Sequence, residues 1–299
     1  MVGTNNLIAA GSFPIGVGRM LPQDDLALHR HDNLELVIVT GGAGLHLTRD
    51  GRYPLARGDV FVVPVDMAHG YGATESLRLI NVVYDPSRLE LPVRRLAALP
   101  GYHALFSVEP RLRRHQDFAG HLRVDERRLS WLEGVVDELH RELRERAAGW
   151  EQSAAAWLLQ ILIRLARLYA TQQDPAARTA VRLGGVLSHI DSHLHRPVAI
   201  DRLCAIGGVS RSTLQRSFRA LFGMSVAQHL IRRRMDAARE LLSSSDLAIA
   251  DIAKRVGVDD ANYFSRLFTR VVGCTPRSFR SAGPPARAKR SARARPPTS

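Results

Sequence analysis

Cysteine is nearly absent from this chain: two in 299 residues, Cys204 and Cys274. Two thiols cannot build a disulfide framework, so a reducing compartment, the cytoplasm, is expected. Lysine is equally rare, Lys254 and Lys289 only, although Lys and Arg together number 42. No apolar run reaches the roughly 20 residues of a membrane span, and the most apolar stretch, Leu158–Tyr169, is interrupted by Arg164 and Arg167. No membrane partner is therefore expected. A charged leader followed by an apolar run is also lacking at the N-terminus. There is no nucleophile elbow or phosphate-binding loop, which argues against an enzyme.

What is present is positive charge, unevenly placed. Residues 1–198 carry 23 basic and 22 acidic groups, whereas residues 199–281 carry 14 and 7. The stretch 282–299 adds five more basic groups and no acid. An excess confined to the final third is the electrostatic footprint of a polyanion-binding module. A GC-rich coding sequence would explain the preference for Arg over Lys, but not the neutrality of the first two thirds.

That final third contains one unit written twice, about fifty residues apart. Leu214, Arg216, Phe218, Gly223 and Ser225 recur as Phe264, Arg266, Phe268, Gly273 and Thr275. Each copy reads as a helix, a turn near Gly207 or Gly257, and a second helix. The apolar matches, spaced by four, form the core face, and the glycines suit helix C-termini. The polar residues between them are the informative ones. Arg211, Ser212, Gln215, Arg216 and Arg219 share the exposed face of the first unit; Asp260, Ala261, Asn262, Ser265 and Arg266 share that of the second. Arg suits guanine, Gln and Asn suit adenine, and Asp accepts from cytosine. Arg211, Arg219, Arg232, Arg233, Arg234, Lys254, Arg255 and Arg270 are candidate phosphate contacts, which position a protein on double-stranded DNA without reading its sequence.

The segments SRSTLQRSFRALFGMS and IADIAKRVGVDDANYFSRLFTRVVGCTPRSFR resemble the C-terminal domain of AraC/XylS-type bacterial transcription regulators. The resemblance implies two helix-turn-helix units joined by a long central helix, about Val226–Ser243, which set both recognition helices into successive major-groove segments. It places base reading on Ser212, Gln215, Arg216, Asp260, Asn262 and Arg266. It also implies RNA polymerase and a second copy of the chain as partners, on the nucleoid.

The first hundred residues read as short strands, Leu34–Thr40, Gly44–Thr48, Val60–Pro64 and Leu77–Tyr84, bounded by Gly, Asp or Pro. Such spacing predicts an antiparallel barrel or jelly roll. Residues 100–126 are open between strand and loop. Two helices follow, Arg127–Ala148, with an apolar seam of Leu129, Leu132, Val136, Leu139 and Leu143, and Glu151–Ala170. They are read as an antiparallel pair that either covers the barrel or forms a dimer seam. The predicted organisation is α+β: a cupin-like domain over 1–171, a linker over 172–180 signalled by polar residues and Pro175, an all-α double helix-turn-helix domain over 181–281, and a disordered basic tail over 282–299.

Within the barrel, His29, His31 and Glu35 would share one face of a strand, and His69 follows 34 residues after Glu35. The pattern resembles both cupin motifs, with His-x-His, a Glu, Gly58-x5-Pro64 and a later His. In metal-binding cupins such residues hold a divalent ion, and their N/O chemistry suits iron, manganese, nickel or zinc. The same side chains, with His46 and Arg30 as further candidates, can instead hydrogen-bond a polar effector with no cofactor required. HRHDNLELVIVTGGAGLHL, LINVVYDP and GYHALFSVEPRLR are similar to regulators of rhamnose catabolism, which implies a sugar such as rhamnose. The expected function is thus an effector-controlled DNA-binding regulator, in this family usually an activator. The alternatives are a metal-dependent cupin enzyme fused to a DNA-binding domain, and a DNA-binding protein without an effector.

Overall fold

A computed structural model describes residues 7–9, 11–65, 67–89, 93–113 and 121–282; the tail expected to be disordered lies, from residue 283 on, outside the described residues. The N-terminal part is one antiparallel sheet of β1 (Ile15–Met20), β2 (Leu26–His29), β3 (Leu34–Thr48), β4 (Arg52–Ala56), β5 (Asp59–Val63), β6 (His69–Tyr84) and β7 (Leu122–Arg123). Its order is β1-β6-β3-β5-β7, with β2 also paired to β6 and β4 to β3.

The two strands expected at 34–40 and 44–48 are a single strand, β3, whose ladder to β6 shifts register between Val39 and Leu45. The glycine-rich run Gly41–Gly44 lets it bend without breaking. Gly42 has φ +69°, and a Cβ there would strike the Ser76 carbonyl. Each half of β3 takes its own partner, Glu35–Ile38 pairing with β5 and Ala43–Leu47 with β4. The bent strands roll the sheet into the expected barrel. Val37, Val39, Leu55, Phe61, Val63, Met67, Tyr71, Leu77 and Leu79 form its buried core. Alternation alone does not reveal β1, which carries two glycines, or β4, which carries Pro54. Both departures are tolerable here. Gly16 and Gly18 leave room for Leu7, and Pro54 is exposed between buried Tyr53 and Leu55.

After α1 (Val93–Ala97), residues 100–112, open between strand and loop, are helical: α2 (Pro100–His103), a π-helical turn (Ala104–Val108) and α3 (Glu109–Leu112). Ala104, Leu105, Phe106, Val108, Glu109 and Pro110 are all buried, so the segment shows no amphipathic period to read. The expected helical pair is α4 (Glu126–Glu145), capped by Asp125 accepting from the Arg128 amide, and α5 (Trp150–Ala170).

The stretch 172–180 is mostly helix rather than linker, because α6 runs over Pro175–Ser192. Asp174 accepts from the Ala176 and Ala177 amides at 2.8 and 3.1 Å, so Pro175 is the first residue of a capped helix. Helix α6 packs against α2 and the π-helical turn. It ends at Ser192, five residues before Pro197. Beyond it come α7 (Ile200–Gly207), α8 (Arg211–Phe222), α9 (Val226–Ser244), α10 (Ile249–Arg255), α11 (Ala261–Val272) and α12 (Pro276–Ala282). The chain divides into two compact units, residues 1–192 with 200–217 and residues 193–199 with 218–299. In the second unit α9 packs on α10, α11 and α12. Among the described residues, no single helix is long and apolar enough to cross a membrane.

Candidate functional site

Inside the barrel, β3 and β6 bring Glu35, His46, His69 and Tyr71 into a largely apolar core, where Asn81, paired across from Val37, is a further buried polar side chain. Glu35, His46 and His69 are at most 1% exposed, and Tyr71 is 2% exposed. The His46 ring lies 4.7 Å from Phe61, 5.6 Å from His69 and 5.9 Å from Tyr71, centroid to centroid. His31 Nε2, Glu35 Oε2 and His69 Nε2 form a triangle with edges of 3.0, 3.1 and 3.4 Å. His31 Nδ1 donates to the Asn33 carbonyl at 2.6 Å.

His29, His31 and Glu35 do not share one strand. His29 closes β2, Glu35 lies near the start of β3, and residues 30–33 turn between them. His29 stands beside the triangle, its ring 4.4 Å from His69 and its Nδ1 donating to Ala27 O at 3.2 Å. The close donor set is therefore His31, Glu35 and His69, three residues rather than the four expected. Arg30 is exposed, away from the interior.

Protonation follows from these surroundings. Burial pushes the His46 imidazole well below its usual range, helped by Arg113 and His29. Burial does the same to His69, with His46, His29, His31 and Arg113 adding to it. Burial also acts on His31, but the hydrogen bond and charge of Glu35 outweigh it and hold that imidazole above its usual value. Burial raises the Tyr71 phenol well above its ordinary range. The interior thus presents the neutral imidazoles of His46 and His69 and a neutral phenol beside the His31–Glu35 pair. Several of their atoms have no hydrogen-bond partner among the described residues: both His46 nitrogens, His69 Nδ1, Glu35 Oε1 and Tyr71 Oη. Burying such atoms unpaired is costly, about 1–3 kcal/mol each. A core that keeps several together is built to meet a polar group from outside.

The helical part presents the second candidate surface. Arg211, Ser212, Arg216 and Arg219 are exposed on α8, and Gln215 is half-buried. Arg211 reaches Asp201 at 3.2 Å, and Arg216 reaches Thr213 at 3.5 Å. Asn262, Arg266 and Arg270 are exposed on α11, as are Arg232 on α9 and Lys254 and Arg255 on α10. Asp260 is the N-cap of α11, its Oδ1 accepting from the Tyr263 amide at 2.7 Å. One carboxylate oxygen therefore serves the helix, and only the other is left for a base. Arg234 is structural rather than a phosphate contact, donating to the Leu194 and Arg196 carbonyls at 2.9 Å each. Tyr263, 44% exposed beside Asn262, is a surface aromatic that the repeat pattern did not single out. The repeat matches it with Thr213, and an aromatic without a hydrophobic counterpart was the available signal.

The duplicated positions behave as one motif. Leu214 and Phe264, and Phe218 and Phe268, are fully buried, while Gly223 and Gly273 close their helices at φ +67° and +91°. Ser225 caps α9 in a reciprocal box with Gln228, and Thr275 accepts from the Ser278 amide.

Residues 15–162 match the family of AraC-like ligand-binding domains, and residues 203–282 match a helix-turn-helix domain family. Over 277 residues the chain is 31% identical to the HTH-type transcriptional activator RhaR of Escherichia coli strain K12, covering 92% of this chain and 94% of that protein. The chain belongs to the AraC family. It is a helix-turn-helix, DNA-binding transcription regulator with an N-terminal ligand-binding domain. Among solved structures, the DNA-binding domain of AdpA in complex with a target DNA is 33% identical over 34% of this chain and 91% of that one, with a TM-score of 0.32. The C-terminal domain of AraT from Geobacillus stearothermophilus is 28% identical over 38% and 88%, with a TM-score of 0.33.

Proposed function

We propose that this AraC-family regulator is a transcriptional activator in the cytoplasm, switched by a neutral polyhydroxylated effector, a sugar of the rhamnose type, held inside the barrel. The observation that carries the proposal is the set of unpartnered polar atoms on Glu35, His46, His69 and Tyr71 within an apolar core. Neutral imidazoles and a phenol can each donate or accept toward hydroxyls, and Glu35 accepts. A lone carboxylate disfavours an anionic effector. No residue is assigned a catalytic role. Ser212, Gln215, Arg216, Asn262, Arg266 and the free oxygen of Asp260 are the base readers, with Arg211, Arg219, Arg232, Lys254 and Arg270 on phosphates. RNA polymerase and a second copy of the chain complete the set of partners.

The donor triangle also fits a divalent metal. Ligand atoms around a tetrahedral ion with bonds near 2.0 Å lie about 3.3 Å apart, and the edges here are 3.0–3.4 Å. The His31 Nδ1 bond to Asn33 is the outer-shell contact that orients a ligating imidazole. His31, Glu35 and His69 would hold the ion, which would supply Lewis acidity toward effector hydroxyls. The same three atoms can instead share one proton, with His31 as an imidazolium between Glu35 and neutral His69. Elemental analysis of the purified chain separates these, since a metal reading expects one equivalent that Glu35→Gln loses.

A thermal-shift panel of aldoses, rhamnose included, tests the effector. A ligand at 100 times its Kd should stabilise the fold by about 2.7 kcal/mol, and a panel without any shift defeats the sugar reading. For DNA, selection from a random duplex pool should return a defined site. On it Arg216→Ala should weaken binding by about 1–3 kcal/mol and relax one base pair. Equal weakening on all duplexes would make Arg216 a phosphate contact.

A further inference from the structure

A buried ion pair stands between the barrel interior and α6. Arg113 donates from Nε to Glu109 Oε1 at 2.8 Å and from Nη2 to Glu109 Oε2, and its Nη2 also reaches the Val62 carbonyl of β5 at 3.3 Å. Glu109 is wholly buried and Arg113 is 5% exposed. The Arg113 guanidinium carbon lies 4.7 Å from the centre of the Phe61 ring, and the His46 ring lies 4.7 Å from the same ring. Phe61 therefore touches both the unpartnered imidazole of the interior and the ion pair.

On its other side the pair is joined to helices. Glu109 opens α3 directly after the π-helical turn, a geometry that is rare and frequent at functional sites. That turn and α2 pack on α6 so closely that a Cβ on Gly184 would strike the Pro100 carbonyl and the Ala104 amide. His103 Nε2 and Asp191 Oδ2, 3.0 Å apart, link α2 to the last turn of α6. From α6 the chain runs on to α7 and α8. Close-packed interiors transmit displacement rather than absorb it. A shift of Phe61 that carries Arg113 must carry Glu109 too or separate two buried charges.

We infer that Glu109 and Arg113 are positioning residues that couple the interior, through His46 and Phe61, to α6 and thereby to DNA affinity. The inference rests on the barrel interior being the effector site. It adds the route by which that site is read.

A double-mutant cycle on the full-length chain tests it, with affinity for a duplex that the wild-type chain selects as the readout. His46→Leu replaces the unpartnered imidazole by an apolar side chain against Phe61. Arg113→Lys keeps a positive charge beside Glu109 but cannot hold both its oxygens and the Val62 carbonyl. His46→Leu should change the Kd at least threefold in the wild-type background and by less than half that factor beside Arg113→Lys. The pair Glu109→Gln/Arg113→Met, which removes both charges together, should abolish the His46→Leu effect and serves if the lysine variant does not fold. Amide exchange should quicken in residues 104–108 and 175–192 in either background, with the β3–β6 ladder unchanged. Equal His46→Leu factors in all backgrounds, or no change of Kd on His46→Leu, would overturn the inference. No sugar enters the cycle, so a blank aldose panel defeats only the effector reading, and an additive cycle defeats only the coupling.

Discussion

At the scale of single residues, polar groups are kept buried for two opposite reasons. Asp59 is fully paired: Arg123 donates from Nε at 2.6 Å and Nη2 at 3.2 Å, the Ala56 amide donates at 2.8 Å, and His121 stands at 3.3 Å. Burial alone would raise this carboxyl, but the bonds from His121, Arg123 and Ala56 outweigh it and hold it below the usual range. Its stabilisation is therefore present above the unfolded value of about 3.9 and lost as pH falls through the lower native one. Asp59→Asn should cost about 2 kcal/mol at pH 7 and at pH 5. In urea titrations the gap to wild type should narrow below pH 4, and a gap that is flat to pH 3 would show that charge is not its source. His46 is the contrary case, buried with neither nitrogen partnered among the described residues, which leaves both open to the effector proposed above. Sequence spacing brought His31, Glu35 and His69 into view together. It could not tell that His29 falls outside the triangle, because the turn at residues 30–33 interrupts the alternation on which the shared face depended. Asp260 shows the same limit, since a helix N-cap and a base reader have the same composition.

At the scale of elements, position within a helix decides what a Gly or Pro means. Pro175 and its polar neighbours read as a linker, yet behind Asp174 they begin α6. The signals of a loop and of a capped helix start coincide, and only the tertiary burial of Ala177 and Ala180 separates them. Two helical glycines make the point testable. Gly134 on α4 has nothing within 4 Å of a built Cβ, whereas a Cβ on Gly184 of α6 meets backbone atoms of Pro100 and Ala104. Helix propensity favours Ala over Gly by about 1 kcal/mol at both. Gly134→Ala should therefore stabilise by up to about 1 kcal/mol. Gly184→Ala should destabilise by about 1–2 kcal/mol, because overpacking against backbone outweighs the propensity. Thermal denaturation of the two variants should show shifts of opposite sign, and equal shifts would mean that α6 does not pack on α2 so closely. The helices α7, α8, α10 and α11 were the most legible, since the two units repeat one pattern. The segment from α1 to α3 was the least, since the π-helical turn at its centre buries four of its five residues and shows no single stripe.

At the scale of the whole molecule, charge is partitioned by task. The barrel part is nearly neutral, and the helix-turn-helix part carries the excess. Five basic groups, Arg287, Lys289, Arg290, Arg293 and Arg295, follow in the last seventeen residues. Deleting residues 284–299 should lower affinity for random duplex and leave the selected site unchanged. The salt dependence should flatten by up to about 0.9 in log–log slope for each phosphate that the shortened chain no longer neutralises. A changed site would show that these residues read bases. The sequence by itself determined the class of molecule, a barrel joined to a duplicated DNA-reading motif, because periodicity, caps and charge are local and survive in one dimension. Only the tertiary structure decided that α6 belongs with the barrel's helices, that three donors rather than four converge, and that a buried Glu109–Arg113 pair lies between them. Those facts depend on contacts between residues distant in the chain, such as Arg113 with Phe61 and His103 with Asp191, and no local pattern of residues displays such contacts.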